Sequence, residues 1–377
     1  MKRKSLFSPR GALLLTAGLT ITAALAVPAS ADTGFLDRMK ADVAAATAPG
    51  GGAWDGPTSG PTAAKGKTVV FVSLTQNSSG NADASKGAGD AAKVLGWNFS
   101  VIDGKGNATD SANALQQAIA LKPDGIILGS IDPASNKAAL DQASAAGIKI
   151  VSWHSTSSPG PVPDAHIIVN VSTPPDQIAY LAGEYAVVHS NGTAQAEVIS
   201  DRQYQIVVTK SDAIEKAIKE CDTCKLLSED NGPFGEVPQR TPSLTNSLLQ
   251  KFGKNLGYML TFNDVYFDFV VPTLKSAGVE PGNPPFLISA GDGSVSAYER
   301  IRTGQFQIAT VPEPAYMHGW QLIDELNRAF AGQPPSGYVT KVHLVTKDNV
   351  DLDGGKDNRY DPQNGYQDQY KKIWGVQ

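Results

Sequence analysis

From Thr68 onward the chain keeps one cadence: a short unbroken apolar run, then a longer stretch whose apolar residues recur every three or four positions. The runs are VVFVSL, FSVI, GIIL and IKIVSW. The stretches between them cover Ala84 to Leu95, Asp110 to Leu121, and a third that begins at Asp132-Pro133. Continuous apolar strands alternating with amphipathic helices predict βαβ units and a parallel sheet covered on both faces. The third helix is well marked, since Asp132 can cap it, Pro133 suits the first helical position and Gly147 ends it.

The rhythm breaks at NVSTPP, Asn170 to Pro175, and then restarts. DQIAYLAGEYAVVH places Ile178, Leu181, Ala182, Tyr185 and Val188 on one helical face. A second series follows: AEVIS, a helix to Glu220, KLL, a helix over Leu244 to Phe252, YMLTF, a helix to Ala277, and FLISA. FQIATV leads into a long helix, Pro314 to Ala331, and VTKVHLVT predicts a last strand. The fold class expected is α/β, with two doubly wound parallel-sheet lobes in succession. Such lobes leave a cleft at the carboxyl ends of their strands, where open α/β sheets bind ligands.

Ahead of the cadence, Phe35 to Ala46 predicts a short helix, and APGGGAWDGPTSGPTAAKGK is a Gly/Pro-rich linker. Gly66-Lys67-Thr68 has the look of the end of a phosphate-binding loop. The required first Gly would fall at Pro61, however, and the turn precedes a strand instead of following one. The start of the chain is basic, Leu13 to Val27 is apolar, and Ala29-Ser30-Ala31 precedes Asp32. This is the pattern of a secretory signal peptide cleaved after Ala31, with a soluble, periplasmic mature chain. The apolar run is shorter than the ~20 residues of a spanning helix, and no cysteine follows it for lipid attachment.

A length of 377 residues suits two lobes, since single cores stop growing at ~250 to 300 residues. A formal net charge of -5 argues against nucleic acid or an anionic membrane as partner. The two cysteines, Cys221 and Cys224 in KECDTCKLL, have no second pair and no His cluster beside them, so a structural disulfide is expected in place of a zinc or redox site. No cofactor and no metal are expected. The tail segment DLDGGKDNRYDP lacks the sixth-position Gly and the late Glu of a calcium loop and reads as a solvated terminus.

Strand ends and the loops after them offer Gln76, Asn77 and Ser79 after the first strand and Trp153 and His154 after the fourth. The second lobe offers Arg202, Tyr204, Asn263 and, in the turn GDGS, Asp292. Hydroxyls donate and accept at once, so a polyhydroxylated ligand pairs with carboxylates, amides and basic groups together, while an aromatic face covers its C-H side. On that reading Trp153 is a stacking plate and His154 a donor. The plain alternatives are a Trp in the core at the sheet rim, a satisfied His, and an Asp that only forms a turn.

These residues resemble the sugar-binding, ribose-binding-protein-like group of periplasmic solute-binding proteins of ABC importers. The resemblance runs from about Lys67 to Val350 and is carried by SLTQNSSGNADASKGAGDAAKVLGW, LQQAIALKPDGIILGSIDP, TFNDVYFDF and ISAGDGSVSAYERIRTGQFQIATV, in that order. It implies two lobes joined by three crossings that close over a ligand: lobe 1 as 67–172 plus 312–338, lobe 2 as 173–311 plus 339–349, with 1–31 the signal, 32–66 the helix and linker, and 350–377 the tail. It also implies ligand-binding roles for Asn263 and Asp292, puts Glu313 where a ligand-contacting Gln is usual, and puts Lys210 near a position that often carries Arg. Trp153 and His154 occupy the place of a sugar-gripping Asp-Arg pair, and Ser78-Ser79-Gly80-Asn81 replaces paired Phe residues. The ligand expected is therefore a sugar or polyol first and another small polar metabolite second.

The function expected is capture of that ligand by a monomer and its delivery to an ABC permease and its ATPase. A sensor that reports to a membrane receptor is the alternative. A glycosidase using Asp292 and Glu313 as its carboxylate pair is disfavoured, because no nucleophile elbow, metal cluster or intact phosphate loop accompanies them.

Overall fold

The structure is a computed structural model and describes residues 33–49 and 52–376. The expected signal peptide lies outside the described residues. No helix among the described residues is long and apolar enough to cross a membrane.

A helix, α1 (Thr33–Ala46), precedes two six-stranded sheets. The first holds β1 (Thr68–Ser73), β2 (Asn98–Asp103), β3 (Gly125–Gly129), β4 (Lys149–Trp153), β5 (Gly160–Val162) and β6 (Ile167–Val171). Their order is β2-β1-β3-β4-β6-β5, and only β5 runs antiparallel. The crossovers are α2 (Ser79–Val94), α3 (Ala108–Ala120) and α4 (Lys137–Ala145). After α5 (Pro175–His189), the second sheet takes β7 (Gln195–Ser200), β8 (Lys225–Asn231), β9 (Tyr258–Thr261), β10 (Phe286–Ser289), β11 (Gln307–Thr310) and β12 (Val345–Thr346). Its order is β12-β11-β10-β9-β7-β8, antiparallel only at β12. Helices α6 (Gln205–Lys219), α7 (Val237–Phe252), α8 (Phe267–Ser276) and α9 (Val295–Thr303) belong to it, and α10 (Ala315–Phe330), α11 (Val350–Asp353) and α12 (Tyr366–Trp374) complete the chain.

The central strands of both sheets are covered on both faces, as their unbroken apolar runs require, while the edge strands β2 and β8 are half-buried to exposed. In β1, Val69 and Phe71 pack with residues of α2 and α10, while Val70 and Val72 face α3 and α4. Helix α10 follows the second sheet in sequence but packs on the first, against α2. That contact is close: a Cβ at Gly319 would meet the Ala84 carbonyl oxygen at 2.4 Å, and one at Gly87 the Tyr316 carbonyl oxygen at 2.1 Å. The chain thus crosses between lobes after β6, after β11, and between α10 and β12.

Several differences from the sequence reading lie at element edges. Helix α2 starts at Ser79, five residues before Ala84, and α7 starts at Val237 and runs through Pro242, which does not interrupt it. Asp132 accepts hydrogen bonds from the Ala134 and Ser135 amides and so caps a turn, while α4 begins only at Lys137. Of VTKVHLVT only Val345 and Thr346 pair with the sheet, because the chain before them is a crossing whose Leu344 amide is given to Ala46. Cys221 and Cys224 form a disulfide.

The largest correction concerns the tail, which is not a solvated terminus. Tyr366, Tyr370, Ile373 and Trp374 are buried in the first lobe's core, and the Trp374 indole donates to the buried Asp324 carboxylate at 2.8 Å. The Gly and Asp content of 351–358 masked the aromatic i, i+4, i+8 face of α12 that follows.

The α2–α10 approach yields a test. Replacing Gly by Ala inside an exposed helix gains up to about 1 kcal/mol, but the methyl of Gly319→Ala would collide with backbone, and overpacking costs about 1 to 3 kcal/mol. Gly319→Ala is expected to lower the urea midpoint, and a raised midpoint would show that the two helices are free to separate.

Candidate functional site

Both sheets direct the carboxyl ends of their parallel strands toward a cavity of about 110 Å³ between the lobes. The first lobe supplies Leu74, Thr75, Ser78, Asn81, Ser130 and His154. The second supplies an apolar and aromatic wall, Tyr204, Ile206, Val207, Phe234 and Phe262, and three polar groups, Lys210, Asn263 and Asp292. Ser130 and His154 follow β3 and β4 directly, each with positive φ (58° and 54°), a turn out of the strand that L side chains seldom adopt. One lobe thus faces the cavity mainly with hydroxyl, amide and imidazole groups, and the other with a ring and aliphatic wall beside three polar groups.

Asp292 lies where the lobes meet. Its Oδ2 accepts from Ser78 Oγ of the first lobe at 3.3 Å and from Asn263 Nδ2 at 3.2 Å. The turn that carries it is fixed from below by Asp264, whose carboxylate accepts from the Gly293 amide (2.9 Å), Gln307 Nε2 (2.7 Å) and Thr310 Oγ1 (3.2 Å). Burial pushes the Asp264 carboxyl up, opposed by those hydrogen bonds and by the Arg300 charge. Gly293 has φ 75°, and a Cβ there would lie 2.5 Å from the Tyr298 hydroxyl, so only glycine serves. Asn263 is held in turn by accepting from the Val265 amide at 3.1 Å. Lys210, buried on α6, donates to the Ala290 carbonyl at 2.8 Å.

Behind the cavity the three crossings meet in one buried polar network. Glu313, in the second crossing, bonds His154 Nε2 through Oε1 and accepts from the Thr173 amide of the first crossing through Oε2 at 2.8 Å. Thr173 Oγ1 is 2.6 Å from Thr340 Oγ1 of the third crossing, which is 2.9 Å from His318 Nε2. The Trp153 indole, a donor only, lies 3.1 Å from His318 Nδ1. Nδ1 must therefore accept, so neutral His318 carries its proton on Nε2 and donates to Thr340, which leaves the Thr340 hydroxyl to donate to Thr173. Burial pushes His318 down to about 4, against the pull of Glu313. Burial alone would raise Glu313, but the charges of His154, Lys210 and His318 and the His154 hydrogen bond outweigh it and hold the carboxyl at about 2.

Of the residues singled out from sequence, His154, Tyr204, Lys210, Asn263 and Asp292 line the cavity. Asn77 and Ser79 flank it, and their neighbours Thr75, Ser78 and Asn81 line it instead. Glu313 is buried behind His154. Trp153 is not an open stacking plate: it is 1% exposed, stacks on the His154 ring at 4.4 Å and serves the network. Arg202 lies outside the lining, because its guanidinium is taken up by Glu229 (2.7 Å), Asp212 (2.8 Å) and Glu215 (3.6 Å). Strand-end reasoning passed over Ser130, Phe234 and Phe262, although Ser130 ends GIILGS and Phe262 immediately precedes Asn263. A larger groove of about 600 Å³, lined by Asp42, Tyr180 and Glu184, lies between α1 and α5, where no strand end reaches. No group of acidic, His or Cys side chains among the described residues could hold a metal ion.

A family model described as a periplasmic binding protein domain matches residues 69–334. No curated protein matches the chain. A glucose-galactose binding protein from Geobacillus stearothermophilus is similar at 18% identity and a TM-score of 0.67, over 77% of this chain and 100% of that one. A solute-binding protein of an ABC transporter from Burkholderia graminis, in complex with D-arabinose, is similar at 18% identity and 0.67, over 76% and 97%. Another from Agrobacterium vitis, with bound allitol, is similar at 19% identity and 0.66, over 76% and 97%.

The buried network makes stability depend on pH. With His318 lowered from 6.5 to about 4, the unfolded chain takes up a proton that the native one refuses as pH falls through that interval. Stability is therefore lost on going from pH 6.5 to 4, by roughly 3 kcal/mol for this group. Glu313 adds a further loss between 4.5 and about 2. His318→Gln, which can still accept from Trp153 and donate to Thr340, is expected to flatten the upper limb in denaturant titrations at stepped pH; an unchanged limb would remove His318 as its source.

Proposed function

The chain belongs to the periplasmic binding protein domain family, and from that premise we propose that it captures a sugar or polyol between its lobes and delivers it to an ABC import permease. Its family is one of binding proteins, not of catalysts. The observation that carries the reading is the cavity at the strand ends of both sheets, where Ser78, Ser130, His154, Lys210, Asn263 and Asp292 offer donors and acceptors beside the rings of Tyr204, Phe234 and Phe262. This mixture suits hydroxyls on one side and C-H faces on the other. The ligands printed for the similar structures, D-arabinose and allitol, belong to the same chemical class.

On this reading 67–172 with 312–338, and 173–311 with 339–349, are the bodies that move, and the crossings between them are the hinge. Residues 1–31 are a signal peptide cleaved after Ala31, and the mature chain works as a monomer in the periplasm.

A thermal-shift screen of pentoses, hexoses and polyols tests the proposal. A ligand at 100 times its dissociation constant stabilises by ~2.7 kcal/mol, so a true ligand stands clear of the rest. Asp292→Asn removes a charged acceptor while keeping its shape and should weaken that ligand by about 1 to 3 kcal/mol, roughly fivefold to 150-fold. Absence of any shift across the panel would refute the ligand class, and parent-like affinity in Asp292→Asn would refute the site.

A further inference from the structure

Beyond the three crossings at the hinge, the C-terminal tail makes a fourth connection, pinned to both lobes along its length. It leaves the second lobe at α11, where Val350 packs with Tyr298, Ile301 and Val345. Arg302 of α9 then holds it, bonding Asp351 Oδ1 at 2.8 Å and Asn358 Oδ1 at 2.6 Å. The next residue, Arg359, faces the other lobe: its Nη1 is 3.5 Å from Asp83 Oδ1 of α2, and its guanidinium lies 4.4 Å from the ring centroid of Tyr316 of α10. Tyr360 returns to the second lobe, buried with Tyr298 and stacked on His343 at 4.4 Å. Finally α12 seals onto the first lobe, where Trp374 stacks on Trp320 at 5.7 Å and bonds Asp324.

Three consecutive residues thus alternate between the lobes. A hinge rotation that parts α2 from α9 must strip Arg359 from Asp83 and Tyr316 or draw Tyr360 away from Tyr298 and His343. The Ser78 to Asp292 contact spans the lobes through the first turn of the same α2. The family match ends at residue 334, so the tail lies beyond the matched domain.

We propose that the tail is a staple that limits how far the lobes open, so that the ligand-free protein stays near the interlobe separation described here. The inference rests on the two-lobed fold and not on the identity of the ligand.

Its test uses the ligand-free full chain with spin labels on cysteines placed at the exposed positions Lys137 and Lys254, one in each lobe. The staple is released in a variant that combines Arg359→Gln with a six-residue Gly/Ser insertion after Gln363, which leaves the cores and α12 unchanged. Dipolar distance measurements are expected to give one narrow distribution for the parent, and for the variant a broader one with an added longer-distance population. Should the combined variant fail to fold by circular dichroism, Arg359→Gln alone is read with the same labels and should show a smaller broadening. A folded variant with the parent's distribution, or a parent already as broad as the variant, overturns the proposal. Neither outcome depends on whether a sugar binds, so failure here is separable from failure of the proposed function.

Discussion

Everything at the hinge depends on one carboxylate shut away from the protein surface. Glu313 is 2% exposed, and a buried charge survives only if each of its oxygens finds a strong partner. One oxygen takes His154, which follows a strand of the first sheet and lines the cavity, and the other takes the backbone of the first crossing at Thr173. Thr173 and Thr340 then join the third crossing to the same network, with His318 and Trp153 closing it from α10 and β4. Breaking any member leaves a buried polar group unpaired, so the crossings and the cavity wall are tied to one energetic unit. What touches His154 from the cavity therefore acts on the hinge through a single intervening side chain.

A similar logic holds the opposite wall. Asp264 spends its carboxylate on the Gly293 amide and on Gln307 and Thr310, which leaves neighbouring Asn263 and Asp292 to face the cavity. The cavity is thus placed between two rigid polar supports, one behind each lobe's contribution, and most of its remaining surface is ring and aliphatic. Such an arrangement favours a ligand with hydroxyls along its edges and C-H faces between them.

Much of this was legible in the chain. The alternation of unbroken apolar runs with helical faces announced two parallel sheets, and the rule that strand ends carry ligands reached His154, Asn263 and Asp292. What it missed has physical causes. Arg202 and Trp153 stand at strand ends too, but nothing in a linear sequence shows that Glu229, Asp212 and Glu215 converge on the first, or that His318, 165 residues away, takes the indole proton of the second. Phe234 and Ser130 were within reach of the same rule and were passed over because their loops look like plain turns. The tail failed for another reason: its Gly and Asp content hid four buried aromatic and aliphatic side chains just beyond.

His154 and Glu313 act as one unit, and a double-mutant cycle on ligand binding measures their coupling. Calorimetric titration of the tightest-binding sugar or polyol into the parent, His154→Gln, Glu313→Gln and the double variant gives the coupling between the two positions. If cavity and hinge are joined through this pair, the double variant loses little more affinity than either single one. Losses that add within about 0.5 kcal/mol would show two independent residues, with no link from cavity to hinge through this pair.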